Sequence, residues 1–139
     1  MRQIDKDFID AAGRGNLAQV KAYLHAGADV HACNDYALRW TAVSGHSEVV
    51  RLLISHGADI HADDNYALKW AARKGYDEVV SLLIAHGANI QVLYNWALRK
   101  AAKHDEVVKL LLLHGVPLES IGIQNRTSEL IFFNKLCNL

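Results

Sequence analysis

The chain of 139 residues lacks net charge, long apolar runs and an apolar N-terminal segment, and each absence argues against a class of protein. It has one proline, and its 15 basic residues balance its 15 acidic residues, so the net charge is zero. A neutral chain has no overall field to draw it onto nucleic acid or an anionic membrane. The apolar runs, such as residues 110–113, are too short to span a bilayer. The first residues also lack the apolar core of a signal peptide.

Cysteine is scarce as well, with only Cys33 and Cys137. If the chain is a stack of repeats, helices in successive units lie roughly 8–10 Å apart. Three such steps separate the two thiols by about 25–30 Å, whereas a disulfide needs Cα atoms within about 7 Å. We therefore expect two reduced thiols and a cytoplasmic location.

What the sequence does contain is an internal repeat. Residues 65–90 match residues 35–60 at a shift of 30 positions, and the pattern recurs from Trp96, with a small deletion after Ala102. A period of this length is typical of stacked-repeat architectures, in which each unit buries its apolar face against the next. We predict a single domain over residues 1–139, built from units at about 5–33, 34–63, 64–93 and 94–118 and closed by a helical cap at about 119–139.

Each of the two clearest units predicts a pair of helices. The first helix spans residues 36–44 or 66–74 and is ended by a glycine, which accepts a left-handed cap without steric cost. The second helix spans residues 47–55 or 77–85 and carries an apolar stripe at helical spacing.

The segments that flank these helices carry further expectations. Ser47 and Asp77 are predicted to be N-caps of the second helices. Residues 58–62 alternate in a strand-like way and are expected to lead into the next unit. The first unit predicts a helix near residues 6–13, whose acidic residues, Asp5 among them, keep the outer face of a terminal unit wet. The fourth unit lacks the inter-helix glycine, so its turn should be remodelled.

The residues now carry a family resemblance. The run G-H-S-E-V-V-R-L-L-I at residues 45–54, followed by G-A-D-I at residues 57–60, resembles the ankyrin repeat. The resemblance covers roughly residues 5–118. It implies an all-α solenoid of stacked helix-turn-helix units whose concave surface binds another protein and does not catalyse.

The departures from the family pattern are informative. The period is 30 residues where the family has 33, so the projecting hairpins should be shortened. The start Asp35-Tyr36-Ala37-Leu38-Arg39-Trp40 replaces the usual T-P-L-H and resembles ankyrin proteins of giant viruses of amoebae.

The concave first-helix surface is the predicted partner-binding site. Trp40 and Trp70 are at equivalent positions, where they either form a binding surface or pack against the neighbouring unit, and we expect partial burial in both cases. The residues predicted to contact a partner are Tyr36, Trp40, Val43, Ser44, Tyr66, Trp70, Arg73, Lys74, Trp96, Lys100 and Lys103.

The basic residues of this surface fall into two groups. We expect Arg39, Lys69 and Arg99 to bond an adjacent aspartate or a hairpin carbonyl. Arg73, Lys74 and Lys103, nearer the helix ends, are expected to be exposed. The acidic residues of the hairpin regions are expected to form acidic fingers beside these basic helices: Asp29, Asp35, Asp59, Asp63 and Asp64. An acidic segment of another protein, bound across the tryptophan and Lys/Arg surface, is the corresponding hypothesis for the partner.

The eight histidines raise the alternative of a metal site. Equivalent positions in a stack lie on the order of 10 Å apart, whereas zinc needs its nitrogens within about 2.1 Å. We therefore expect His56, His86 and His114 to complete helix C-termini, and His31 and His61 to complete turns. No metal, cofactor or enzymatic activity is predicted, because no phosphate loop or activated nucleophile is present.

The first function hypothesis is a monomeric adaptor or inhibitor that binds a protein partner. The alternative is a self-associating structural protein that pairs through an apolar cap containing Phe132, Phe133 and Leu139. Nucleic-acid binding through the basic first-helix row is a third hypothesis, opposed by the neutral net charge.

Overall fold

The computed structural model describes residues 1–93 and 103–117. Within these residues, seven α-helices and one short 3₁₀ helix follow one another along the chain, and no strand occurs. The α-helices are α1 Gln3–Gly13, α2 Leu17–His25, α3 Ala32–Ser44, α4 Ser47–Ser55, α5 Ala62–Lys74, α6 Asp77–Ala85 and α7 Asp105–Leu113, and the 3₁₀ helix η1 is Ile90–Leu93.

The second helices of the units are amphipathic, and their apolar stripes face the core. In α4, Val49, Val50 and Leu53 are fully or almost fully buried. The residues at the same positions of α6 and α7 are buried as well. The predicted bounds of residues 47–55 and 77–85 coincide with α4 and α6. An apolar stripe of this width is what holds a surface helix to a core.

The first helices contribute small side chains and one large apolar side chain per unit. Leu38 of α3 and Leu68 of α5 are completely buried, and Phe8 of α1 takes the same place in the first unit. The alanines beside them are buried too, so successive helices approach closely. α1 packs on α3 and α3 on α5, while α2, α4, α6 and α7 form a second row. The expected all-α repeat solenoid is therefore confirmed.

The connection between units differs from the expectation. Residues 58–62 form a turn instead of a strand-like segment, closed by a hydrogen bond from the Ala62 N–H to the Asp59 carbonyl at 3.2 Å. The next three residues then adopt left-handed backbone, with φ of 54° at Asp63, 55° at Asp64 and 59° at Asn65. Residues 33–35 do the same in the preceding unit. The right-handed part of each first helix begins directly afterwards.

The N-caps are also different from those predicted. His46 and Tyr76 occupy the N-cap positions of α4 and α6, and no side-chain capping bond forms at either of these two described positions. Their rings instead cover the preceding unit: a Cβ added to Gly45 would lie 2.8 Å from the Tyr76 ring. Gly45 has φ of 79°, as predicted for a left-handed cap. The residues before α4 and α6 therefore act as stacking contacts, whereas Asn16 before α2 is a side-chain N-cap that accepts from the Gln19 backbone N–H.

The fourth unit is described only in part. At its second helix, His104 occupies the N-cap position with extended backbone, and its Nε2 lies 3.0 Å from the Arg73 carbonyl oxygen. This histidine ring covers Gly75 as Tyr76 covers Gly45. The predicted first helix of this unit and the predicted C-terminal cap, with Cys137, lie outside the described residues. Among the helices that are described, none is long and apolar enough to cross a membrane.

Candidate functional site on the first-helix face

The solvent-facing sides of α3 and α5 form a surface rich in aromatic residues, called here the first-helix face. Tyr36 is 43% exposed, and its ring centroid lies 6.1 Å from that of Trp40. Tyr66 and Trp70 repeat the pair one unit later at 5.7 Å. The four-residue spacing within each pair places both rings on the same side of a helix.

Guanidinium groups lie over these rings. The Arg39 Cζ is 5.1 Å from the Tyr36 ring centroid and 5.6 Å from that of Tyr66, so the side chain bridges two units. Arg73 lies over Trp70 at 4.7 Å. Such distances are within the range of about 6 Å over which a cation is attracted to an aromatic face. The result is an alternation of aromatic and guanidinium planes along the stack.

Arg39 is also fully engaged in hydrogen bonds. Its Nη1 donates to Asp63 Oδ2 at 2.6 Å, Nε donates to the Asn34 carbonyl at 2.9 Å, and Nη2 donates to the Cys33 carbonyl at 3.1 Å. Lys69 donates to Asp64 at the equivalent place. The expectation that these two cations bond an adjacent aspartate or a turn carbonyl is confirmed. Arg99 lies outside the described residues.

Two depressions flank the Tyr36 and Arg39 side chains. One has a volume of about 270 Å³ and lies between α3 and α5. The other has a volume of about 420 Å³ and lies on the side of α1. The first is lined by Tyr36, Arg39, Trp40, Val43 and Tyr66, and the second by Met1, Lys6, Ile9, Cys33, Tyr36 and Arg39. The shared residues form a wall between two concave surfaces, each of a size that accepts a side chain.

Trp40 has a second role that the sequence did not predict. It is partly buried, as expected, but its ring lies against Gly13 of α1, where an added Cβ would come within 2.4 Å of it. Trp40 therefore belongs both to the packing between α1 and α3 and to the first-helix face. The glycine at position 13, where the next unit has Val43, is the signal that could have indicated this contact.

The remaining predicted site residues are distributed unevenly. Val43, Ser44, Tyr66 and Trp70 are partly buried. The expected exposure of Arg73 was wrong, because this side chain is partly buried with its guanidinium over the Trp70 ring. Lys74 and Lys103 are exposed, as expected. Trp96 and Lys100 lie outside the described residues.

Two aspartates predicted to be exposed are buried instead. Asp35 is 5% exposed, and its Oδ1 accepts a hydrogen bond from the Asp59 backbone N–H at 2.8 Å. Asp5 is 4% exposed and accepts from the Asp29 backbone N–H at the same distance. The expectations that Asp5 wets the outer face and that Asp35 belongs to an acidic finger were therefore wrong. Each carboxylate instead fixes the backbone of the turn 24 residues later.

The Asp5 carboxylate has an additional partner in Arg2, whose Nε and Nη2 donate to its two oxygens at 2.9 Å each. These bonds, with the Asp29 backbone bond, hold the pKa of Asp5 below its usual value, although desolvation opposes the shift. The same contact raises the pKa of Arg2. The pair is a structural element of the first unit.

The histidines complete helix ends and turns, as predicted. The Nδ1 atoms of His56, His86 and His114 lie 3.0, 2.8 and 2.7 Å from the carbonyl oxygen four residues earlier. His31 and His61 bond Asp35 and Asn65 within the left-handed turns. No group of three potential metal ligands forms within residues 1–93 and 103–117. The rings, depressions and ion pairs of the first-helix face support non-covalent recognition by stacking, apolar contact and ion pairing.

Comparison with known families agrees with this geometry. A family model for ankyrin repeats, in three copies, matches residues 8–94. The chain belongs to the ankyrin-repeat family. Ankyrin repeats are in general non-catalytic modules for protein–protein interaction. A comparison with curated protein sequences gives no match. In this ankyrin protein, the first-helix face is the candidate surface for that interaction.

Proposed function

We propose that this ankyrin protein is a non-catalytic adaptor or inhibitor that binds a segment of another protein along its first-helix face. The single observation that carries the proposal is the ladder in which Arg39 lies between Tyr36 and Tyr66 beside a depression of about 270 Å³. Tyrosine, tryptophan and arginine are the residue types that most often dominate binding energy at protein interfaces. Their rigid planes bury a large area at a low cost in side-chain entropy.

Preorganisation supports the same proposal. Arg39 is held by three hydrogen bonds and two rings before any partner arrives. Immobilising a flexible side chain at an interface costs about 0.5–1.5 kcal/mol of binding free energy. A side chain that is already ordered avoids most of this cost. The binding surface is the helix row itself, because the turns are short and do not project as long fingers.

The earlier partner hypothesis, an acidic segment, now rests on fewer cations. Arg39 and Lys69 are paired within the chain, and Arg73 stacks on Trp70. Lys74 at the C-terminal end of α5 and Lys103, both exposed, stay as candidates for an acidic contact. The narrower resemblance to ankyrin proteins of giant viruses, the cytoplasmic location and the unit boundaries likewise stay predictions.

Photo-crosslinking tests the proposed surface. A photoreactive phenylalanine derivative replaces Tyr36 in one version of the protein and exposed Ser55 of α4 in a matched control. After irradiation in a lysate of the native cell, we expect a discrete crosslinked band with the probe at position 36 and only background with the probe at position 55. Equal crosslinking of the same partner from both positions, or crosslinking from position 55 alone, would contradict the proposal.

Self-association is the competing function, and its predicted residues Phe132, Phe133 and Leu139 lie outside the described part of the chain. One observation within the described part favours it: Leu113 near the end of α7 is 74% exposed. Sedimentation at two concentrations separates the alternatives. If the wild type has the mass of a monomer at both concentrations, self-association is excluded. If the wild type is a dimer and Leu113→Ser makes it a monomer, self-association is supported.

A further inference from the structure

The ion pairs of the first-helix face are exposed unequally, and this asymmetry determines the charge that a partner meets. In the Arg39–Asp63 pair the arginine side chain is 14% exposed and the aspartate 51%. In the Lys69–Asp64 pair the corresponding values are 17% and 82%. The cations therefore lie underneath and the carboxylates lie outside. The surface potential at this edge is negative although the pairs are neutral overall.

A third carboxylate extends this edge. Asp59 is exposed, and its Oδ1 accepts a hydrogen bond from the His61 backbone N–H at 2.9 Å. The nearby histidines, His31 and His61, are engaged with Asp35 and Asn65. Exposed cations are in other places: Arg2, which is 60% exposed, and Lys6 lie beside the first unit, and Lys74 lies at the C-terminal end of α5. Lys103 is exposed in the fourth unit. We call the exposed carboxylates of Asp59, Asp63 and Asp64 the acidic edge.

The acidic edge adjoins an apolar depression. Asp63 contacts Arg39, and Arg39 lines the depression of about 270 Å³ together with Tyr36, Trp40 and Tyr66. An apolar or aromatic side chain of a partner can enter this depression against the ring faces. The residue next to that side chain in the partner then lies beside Asp63 or Asp64, where a lysine or arginine gains a hydrogen-bonded ion pair.

We infer that the partner segment carries an apolar or aromatic anchor next to basic residues, so that the acidic edge binds lysine or arginine. This inference rests on the proposed function and specifies its partner. The charge inferred for the partner is therefore basic, whereas the charges counted in the sequence led us to expect an acidic partner. The sequence does not reveal which member of each ion pair is covered. Complementary charge at the rim of an interface mainly accelerates association and selects among partners.

A displayed library of random heptapeptides on phage is the probe for this inference. It is selected against the full chain, and the most enriched peptide is synthesised and titrated at two salt concentrations. We expect enrichment of lysine or arginine beside an aromatic or large aliphatic residue, and weaker binding at higher salt. The Tyr36→Ala variant should bind that peptide about tenfold or more weakly, because it loses the exposed ring.

Matched charge variants test whether the affinity depends on the acidic edge or on negative charge anywhere on the chain. The double variant Asp63→Asn with Asp64→Asn should weaken binding about two- to tenfold, since an exposed ion pair changes affinity by a factor of only about 1.4–5. Asparagine tolerates the left-handed backbone at both positions. The control double variant Glu48→Gln with Glu78→Gln removes two exposed carboxylates from the second-helix row and should leave the affinity unchanged.

The outcomes distinguish failure of this inference from failure of the proposed function. If the enriched peptides are acidic or uncharged but still lose affinity with Tyr36→Ala, the basic-partner inference is overturned and the proposed surface stands. If Tyr36→Ala has no effect, or no sequence is enriched, the proposed surface is overturned together with the inference. A dimer of the chain that Tyr36→Ala dissociates would make the occupant a second copy and would also overturn the basic-partner inference.

Discussion

The second and third units share one backbone but hold it with different polar contacts. Both have three consecutive left-handed residues near the start of the first helix, and both end that helix at a left-handed glycine. In the second unit, buried Asp35 ties the turn to the Asp59 backbone and Arg39 reaches two turn carbonyls. In the third unit, half-buried Asn65 bonds His61 and Lys69 bonds the Asp64 side chain. The repeated frame determines the fold, whereas the polar residues determine how firmly each turn is held.

The largest expected effect is the loss of stability in Asp35→Ala, compared with that in Asn65→Ala. Asp35→Ala removes the acceptor of the Asp59 backbone N–H, and leaving such a group without a partner costs about 1–3 kcal/mol. Asn65→Ala should lower the free energy of unfolding by about 1 kcal/mol less than Asp35→Ala does. The Asn65 side chain bonds the exposed His61 ring, whereas Asp35 bonds a partly buried backbone N–H. Both positions have left-handed backbone, so the strain on alanine is nearly the same in the two variants. The free energy of unfolding in urea measures the difference.

The control for this comparison is Asp35→Asn, which keeps one oxygen as an acceptor and tolerates the left-handed turn. We expect it to recover most of the stability that Asp35→Ala loses. Equal free energies of unfolding for Asp35→Ala and Asn65→Ala would mean that the buried carboxylate does not hold the second turn.

A smaller effect should come from exchanging the two cations. Arg39→Lys loses the fork that reaches the Cys33 and Asn34 carbonyls and should cost about 1–2 kcal/mol. Lys69→Arg in the third unit should change the free energy of unfolding by about 0.5 kcal/mol or less, since Lys69 makes its contact with an exposed aspartate. If Arg39→Lys is as stable as the wild type, the guanidinium is not needed to hold the left-handed turn.

The smallest expected effect extends the comparison to the first unit, where Asp5 takes the place of Asp35. The lowered pKa of Asp5 means that its carboxylate stabilises the fold above its unfolded value, about pH 4, and that this contribution is lost as pH falls through the lowered folded value. Asp5→Asn lacks that contribution, so the stability difference from the wild type should shrink on acidification below about pH 4. Urea unfolding at several pH values measures it. A difference that does not vary with pH would show that ionisation of Asp5 makes no contribution.

Much of the frame could be predicted because it depends on local pattern. The apolar spacing in residues 47–55 and 77–85 matches α4 and α6, and the glycines after the first helices adopt the left-handed caps expected of them. The histidines at helix ends were also predicted, since a position repeated in three successive units cannot converge on one metal ion. The partial burial of Trp40 and Trp70 followed from their position on the first helices.

The errors fall where distant residues decide the conformation. The left-handed turn at Asp63 costs about 1–2 kcal/mol per residue on its own, and it forms in a chain where Arg39 of the preceding unit bonds that aspartate. The run of aspartate and asparagine was the available signal, because these residues tolerate left-handed backbone best. The burial of Asp35 and the contact of Trp40 with Gly13 both involve a neighbouring unit, so no single repeat reveals them.

The central claim is that a partner lies along the first-helix face, and hydrogen exchange of the complex tests it most directly. The enriched heptapeptide or the crosslinked partner is added to the full chain, and amide exchange is compared with and without it. We predict slower exchange in the turn and first-helix segments, residues 33–44 and 59–74, with little change in α4 and α6. Protection confined to α4 and α6 would contradict the claim.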